Sequence, residues 1–525
     1  MEGVVSQGSV DLGEPAEPVM ERTPENRDGE PVMEELILGR FGKTDLYMKR
    51  LLVSCICCLG MLAGWGQAAK RPNVIIILMD DMGYGDTEPY GMTGIPTPNF
   101  NKVAREGTRF THFNAGQPIC TASRAALLTG CYPNRVGMSG ALLPTSKIAL
   151  NPQEATIASL LKEAGYRTAM LGKWHLGNRP PYFPIHYGFD SFYGLPYSHD
   201  IWPRDHTGNR ITDTADIRSH WPELALMDGD RPVSVITSHQ DEERLTTTFT
   251  ERAVAIIKEN RNRPFFLYLA HPMPHVPLAV SDKFRGKSGM GIFGDVIMEL
   301  DWSLGQILKA LDDNGLAGNT LLIVASDNGP WLNFGDNAGS SGGFREGKAT
   351  TFEGGTRVPL LIRWPGKVEA GGINSHLMTN MDLLPTIVAA TGARLPKQRI
   401  DGINFLPSLL AKNTISLRDT FYYYFGKNEL QAVRYKNWKL VLPHKTSSYT
   451  PLHGIEGMGG KIAHVEVPLA LYDLAHDPGE AYDVQKLYPE LVKRITAIAD
   501  GARKDLGDDL TGQAGENRRA SAILP

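Results

Sequence analysis

Val74-Ile75-Ile76-Ile77-Leu78-Met79, followed at once by Asp80-Asp81, is the stretch on which the fold turns. Six successive apolar residues rich in β-branched side chains leave no polar face, so they suit a strand covered on both sides. Similar runs recur at Phe265 to Leu269 and Leu321 to Ala325. Helical patterns at Ile157 to Ala164, Leu245 to Asn260 and Ile297 to Leu311 are interspersed with them. Strands alternating with helices predict an α/β fold with a large, mostly parallel central sheet flanked by helices. Ligands of such sheets bind beyond the carboxyl ends of the strands, where Asp80-Asp81 and Asp327-Asn328 stand.

After about Ala411 the texture changes. Phe421 to Phe425, Ala432 to Arg434, Trp438 to Leu442 and Leu471 to Asp473 are short strand-like pieces between turns, and a final helical stretch runs from Pro489 to Leu506. The expected organisation is a main domain over 70–410, a smaller C-terminal antiparallel-sheet domain with its helix over 411–506, and a mobile tail over 507–525. Two domains also suit a chain of 525 residues.

The segment from Met48 to Ala69 has the form of an export signal: Lys49-Arg50, then no charge from Leu51 to Ala69, with a small-residue cleavage site at Gly66-Gln67-Ala68. Read as a membrane anchor it is short and thinned by glycines and Gln67, so no stable span is expected in the mature protein. Leu52-Val53-Ser54-Cys55 resembles a lipoprotein box but sits too close to the basic pair. Residues 1–47 are polar, acidic and proline-containing, a composition that disfavours a core. They are expected to be disordered, or to precede a true start at Met48. The protein is therefore expected to be exported, to a periplasm or the extracellular space.

A net charge of -4 without a basic stripe excludes nucleic acid as a partner, and any anionic substrate must rely on local cations. Of five cysteines, Cys55, Cys57 and Cys58 fall in the signal, leaving Cys120 and Cys131, and export would permit a disulfide.

Cys120 opens the run Cys-Thr-Ala-Ser-Arg-Ala-Ala-Leu-Leu-Thr-Gly. It reads as a nucleophile on a turn entering a helix, with Ser123 as a cap and Arg124 one helical turn away to stabilise an anion. A buried structural cysteine at a helix start is the plainer alternative. The run resembles the signature of the type I sulfatases, Cys-x-Pro/Ala-x-Arg followed by Ala-Ala-Leu-Leu-Thr-Gly. In that family the cysteine is oxidised after translation to formylglycine, whose hydrated aldehyde is the nucleophile. A converted Cys120 could form no disulfide, and Cys131 would be a lone small residue near the site. Ala122 stands where proline is commoner, which leaves open which maturation enzyme acts.

The rest of the pattern follows in order. Asp80, Asp81, Asp327 and Asn328 supply hard oxygen donors suited to calcium or magnesium, although such residues also serve simply as turn formers. The resemblance implies a calcium ion held by these four, with residue 120 completing the site. Gly165-Tyr166-Arg167-Thr168-Ala169-Met170-Leu171-Gly172-Lys173-Trp174-His175 matches the family's second signature. Lys173 and His175 alternate at strand spacing, so both can point into one cleft. The match implies that Lys173 orients formylglycine and sulfate, and that His175 removes a proton.

His275, in His271-Pro272-Met273-Pro274-His275-Val276-Pro277, matches the family's His-x-Pro and would contact sulfate and protonate the leaving oxygen, while His271 reads as structural. Gly347-Lys348-Ala349-Thr350-Thr351-Phe352-Glu353-Gly354-Gly355 implies Lys348 as a second sulfate-binding cation, and Pro196-Tyr197-Ser198-His199-Asp200 implies Ser198 near the substrate.

The resemblance runs from about Pro72 to Asp483 and is strongest to the arylsulfatase A and N-acetylgalactosamine-6-sulfatase branch. It implies an alkaline-phosphatase-like fold, a main domain that is catalytic, and hydrolysis of an aryl or carbohydrate sulfate ester. A formylglycine-generating enzyme is the implied maturation partner. A phosphonate or phosphate monoester hydrolase of the same superfamily is the nearest alternative, and a secreted glycan-binding protein without catalysis is a second. Which sulfate ester is cleaved depends on loops such as Tyr197 to Asp230 and Asn333 to Arg345, whose arrangement the sequence does not give.

Overall fold

The three apolar runs become neighbouring strands of a ten-stranded sheet. The structure, a computed structural model, describes residues 71–411, 416–449, 454–455 and 457–524. The export signal and the segment before it lie outside the described residues.

Five strands form the parallel centre, in the order Thr320–Ser326, Asn73–Met79, Phe265–Ala270, Arg167–Lys173, Ser191–Leu195. Antiparallel pieces close both sides: Leu360–Arg363 beside Thr320–Ser326, and the hairpin Leu224–Asp228/Arg231–Ile236 beside Ser191–Leu195. Thr108–Phe110 and Gly372–Asn374 complete the first edge. The sheet is therefore mixed, and parallel where the site is built.

The apolar runs have no polar face because both faces are covered. Val74, Ile76 and Leu78 enter one hydrophobic cluster, and Ile75, Ile77 and Met79 enter the other. Phe265–Ala270 and Thr320–Ser326 divide between the faces in the same way. Helices Cys120–Thr129, Ile157–Glu163 and Leu383–Thr391 cover the first face, while Pro98–Glu106, Leu245–Glu259 and Gly291–Asp313 cover the second. The Ile157 helix starts at a reciprocal cap between Thr156 and Ser159.

The C-terminal strands Thr420–Phe425, Glu429–Tyr435, Trp438–Val441 and Ala470–Asp473 form an antiparallel sheet, against which the helix Pro489–Leu506 packs. Its core is shared with the main unit: Ala126, Tyr132, Phe352 and Met381 pack among Tyr423, Tyr424, Leu440 and Ile495. The two sheets are thus joined by common apolar packing.

The tail read as mobile is instead held down over 507–524. Gly507–Asp508 pairs with Gln513–Ala514, and Ala522–Ile523 pairs with Ile148–Ala149. Arg519 grips both oxygens of Glu154 at 2.7 and 2.8 Å. Polar composition suggested freedom, but Ile148–Ala149 and Glu154 lie hundreds of residues away in sequence. No helix among the described residues is long and apolar enough to cross a membrane.

Candidate active site

The carboxyl ends of the five parallel strands converge on one point. Met79 leads into Asp80-Asp81, Ser326 into Asp327-Asn328, Ala270 into the loop bearing His275, and Leu195 into the loop bearing Ser198, while Lys173 ends its own strand. The helix Cys120–Thr129 delivers Cys120 as its first residue and closes at Gly130, on left-handed backbone. Asp81, His175 and Ala349 also have positive φ, a conformation that costs a non-glycine residue energy and that clusters at functional sites.

Asp80, Asp81 and Asp327 each place an oxygen within 4.8 Å of the others. Three buried cations face them. Arg124 donates to Asp327 through Nε at 3.0 Å and Nη2 at 2.8 Å, and to the Lys173 carbonyl at 2.9 Å. Lys173 pairs with Asp80 and donates to Ser198 Oγ at 3.0 Å. Lys348 donates to Asp81 at 2.8 Å and lies over the Trp331 ring, 4.6 Å from its centroid.

The charges set one another. Burial pushes Asp80 up, but Lys173 and Arg124 outweigh it and hold the carboxyl well below the usual range. Burial and the neighbouring Asp80 charge push Asp327 up to about 7. Burial raises the Cys120 thiol, only partly opposed by Lys173 and Lys348.

The acidic group fits a hard cation. Asp80 Oδ1 and Asn328 Oδ1 are buried without a hydrogen-bond partner, and every donor in the group is oxygen. Asn328 is oriented by donating to Asp81 at 2.7 Å.

His175 departs from the expected geometry. Its strand ends at Lys173, and His175 follows on left-handed backbone with φ 62°, so the two residues do not share a strand alternation. Because a carbonyl can only accept, the 2.8 Å contact with Leu142 O assigns the ring proton to Nε2 and leaves Nδ1 unpartnered. Burial, then Lys173, holds this histidine well below its ordinary value, so the ring is neutral.

His275 directs Nε2 to Asp81 at 3.5 Å, and burial lowers it to about 4. His271 turns away, to Ser303 at 3.0 Å. All eleven residues singled out in sequence reach the site: Asp80, Asp81, Cys120, Arg124, Lys173, His175, Ser198, His275, Asp327, Asn328 and Lys348.

Two readings change. Ser123 is no cap: Ile119 is the cap residue, and Ser123 Oγ donates to the Asp327 carbonyl. Cys131 is not beside Cys120 but past the far end of the helix, roughly 15 Å along its axis. Other members of the site were not singled out in the sequence. Asn380 donates to Ser123 Oγ at 2.9 Å, and Thr121 ties the His175 carbonyl at 3.0 Å to the Leu142 amide. Asp200 lies 4.0 Å from His275.

Comparison with known proteins agrees with this geometry. A family model described as Sulfatase matches residues 72–393. The chain belongs to the sulfatase family. A second model, N-sulphoglucosamine sulphohydrolase, C-terminal, matches residues 343–500. N-acetylgalactosamine-6-sulfatase of Rattus norvegicus is 35% identical over 88% of this chain and 91% of its own length. Arylsulfatase A of Bos taurus is 37% identical over 83% of this chain and 89% of its own. The PsFucS1 sulfatase from Pseudoalteromonas sp. superposes with a TM-score of 0.74 at 29% identity, over 86% of this chain and 93% of that one. As a sulfatase the chain is a sulfuric ester hydrolase, and the convergent strand ends are where that hydrolysis is to be sought.

Proposed function

We propose that this sulfatase cleaves a sulfate monoester through a formylglycine derived from Cys120, with a calcium ion held by Asp80, Asp81, Asp327 and Asn328. The observation that carries the reading is the meeting of three cations and three carboxylates around a buried residue 120 at a helix start. Cys120 here stands in for the converted residue. Its raised thiol is a poor nucleophile as it is, because the thiolate is the reactive form. The aldehyde hydrate would supply two geminal hydroxyls, one to displace the alkoxide from sulfur and one through which sulfate is expelled.

Calcium bound there supplies Lewis acidity toward the reacting oxygens, and its two positive charges tip an otherwise balanced set of ions toward binding an anion. Lys173 and Lys348 neutralise the sulfate oxygens in the crowded transition state. Ser198 fixes the Lys173 ammonium, and Arg124 locks Asp327 and the Lys173 backbone in place. His175 accepts a proton at its free Nδ1, a task suited to a neutral ring. His275, whose Nδ1 donates to the Val276 carbonyl, faces the ester with Nε2 and hands over a proton there only after the anionic ester has drawn a second proton onto the ring.

The same reading takes the protein as exported, on the strength of the Met48 to Ala69 segment. The test compares 4-nitrophenyl sulfate, 4-nitrophenyl phosphate and a phosphonate monoester on protein matured in its host. Peptide mass analysis around Cys120 accompanies the assay. Sulfate is expected to be preferred by about 100-fold or more, with activity lost on calcium chelation and in the fraction that retains the thiol. Preference for the phosphonate, or full activity with the thiol intact, overturns the proposal.

A further inference from the structure

We propose that the terminal segment 518–524 is a strap that sets the His175 ring, so that residues far from the site in sequence govern the release of sulfate. The inference rests on the sulfatase reading above and assigns positioning residues to that same site. It starts from the loop 142–150, which holds His175 and its neighbour from both ends. The Leu142 carbonyl accepts from His175 Nε2 at 2.8 Å, and the Leu150 amide donates to the Leu176 carbonyl at 2.9 Å. Thr121 completes the clasp, its hydroxyl donating to the His175 carbonyl and accepting from the Leu142 amide, both at 3.0 Å. His175 sits at φ 62°, a conformation that persists only where the surroundings impose it.

The loop has little of its own to keep it in place. It carries one tight turn, closed between Leu143 and Ser146 by hydrogen bonds of 2.8 and 2.9 Å, and the two-residue strand Ile148–Ala149. Leu143, Thr145 and Lys147 are exposed, and a segment with so few buried contacts opens easily on its own. The strap supplies what is missing. Ala522–Ile523 pairs with Ile148–Ala149, and the Leu524 amide donates to the Lys147 carbonyl at 2.8 Å. Asn151 donates to the Ala520 carbonyl at 3.1 Å, and the Leu524 side chain is buried. Ahead of the loop, the Arg519 amide donates to the Arg135 carbonyl, and Arg518 Nε donates to the Asn134 carbonyl at 3.2 Å. A small cavity lined by Leu142, Ser146, Ile148, Gly177 and Tyr197 adjoins the His175 ring. Once the loop drifts, the ring has room to turn.

Sulfate release depends on that ring. His175 Nδ1 takes the proton of the hydroxyl left on residue 120 as its oxygen–carbon bond becomes the aldehyde double bond. The bond from that carbon to the sulfate oxygen breaks, and sulfate leaves with the bonding pair. Nδ1 has a lone pair for the proton only while the ring hydrogen stays on Nε2, where the Leu142 carbonyl holds it. Departure of the alcohol precedes this step and does not call on Nδ1.

The test compares the matured, calcium-loaded wild type with three variants. One chain ends after Asn517, and Leu524→Pro lacks the amide that holds Lys147. Ile495→Ala thins the packing under the terminal helix and leaves the strap whole. Leu524→Pro alters one edge contact and spares the main core, so a folded strap variant is in hand even if the shortened chain unfolds. Turnover of 4-nitrophenyl sulfate is followed before and during the steady state. In both strap variants kcat and KM are expected to fall together by about tenfold or more, after a stoichiometric burst of 4-nitrophenol. Sulfate should remain on the peptide bearing residue 120 in samples quenched during turnover. A mere loss of folded enzyme lowers kcat, leaves KM alone and gives no new burst, which is the pattern expected of Ile495→Ala. Strap variants that behave like Ile495→Ala, or like wild type, overturn the strap. A wild type that turns over no sulfate ester, or does so fully with its thiol intact, strikes instead at the chemistry beneath it.

Discussion

Arg124 and Lys348 are both buried cations at the site, yet they touch different things. Arg124 donates to Asp327 twice and to the Lys173 carbonyl, all inside the protein, so its charge holds the structure together. Lys348 has one carboxylate partner and an aromatic ring, which leaves two ammonium protons for a substrate. Removing one partner of a buried ion pair strands the other charge, so Arg124→Met is expected to destabilise the calcium-free protein by about 3–5 kcal/mol. Lys348→Ala is expected to lower kcat/KM by about 10²–10³ while calcium binding is retained or tightened, because a cation beside Asp81 is gone. Urea unfolding in chelator and calorimetric calcium titration of each variant separate the two roles, and equal stability losses would defeat the distinction. At this scale the site was legible wherever a motif carried its residue. Asn380 and Thr121 were not, because each acts through hydrogen bonds to backbone and hydroxyl groups, and no spacing announces such bonds.

The loop from Met82 to Asp86 shows what an element asks of one buried carboxyl. Asp86 accepts from the Gly83 and Ser340 amides, tying the turn after the first strand to the loop beyond Asn337. Burial outweighs those amides and raises the Asp86 pKa to about 7. The folded chain therefore keeps a proton that the unfolded chain releases near its ordinary 3.8. That contribution to stability is whole below pH 3.8 and fades as pH rises through about 7. At saturating calcium, wild type is expected to lose about 1–3 kcal/mol more than Asp86→Asn between pH 4.5 and 7.5. Parallel stability curves from urea unfolding would sink the claim. The strands themselves were legible because coverage on both faces demands an unbroken apolar run. The end of the Lys173 strand was not. Gly172 there has φ 94°, and an added Cβ would meet the Ala270 carbonyl oxygen at 1.9 Å. A period of two read through that glycine to His175 misjudges where the alternation stops.

Across the whole molecule, the C-terminal sheet is joined to the loop bearing Lys348 by buried charge as well as by apolar packing. Lys439, on the strand Trp438–Val441, reaches Glu353 at 3.2 Å, Glu480 at 2.8 Å and the Thr351 carbonyl at 2.8 Å, and it is fully buried. Glu480 in turn accepts from the Glu353 amide at 2.7 Å. Burial raises both carboxyls, but Lys439 with Arg434 brings Glu353 down to about 2, while Glu480, facing the Glu353 charge, stays raised. Thr351 and Glu353 lie a few residues past Lys348, so this clamp fixes the loop that carries the Lys348 ammonium. The sequence showed both sheets and both loops, yet nothing in the composition of either paired Lys439 with glutamates some 40 and 86 residues away. Lys439→Met fills much of the same volume and strands two carboxylates in the interior, at an expected cost of about 3–5 kcal/mol at pH 7. Adding Glu480→Gln removes one stranded charge and is expected to recover a good part of that loss, which independent sites would not do. The loss should also lead to weaker sulfate ester turnover through Lys348, read as a higher KM at 20 °C, where the variant is still folded. Urea unfolding of the single and double variants decides the matter, and a single variant as stable as wild type would mean that the clamp carries no load.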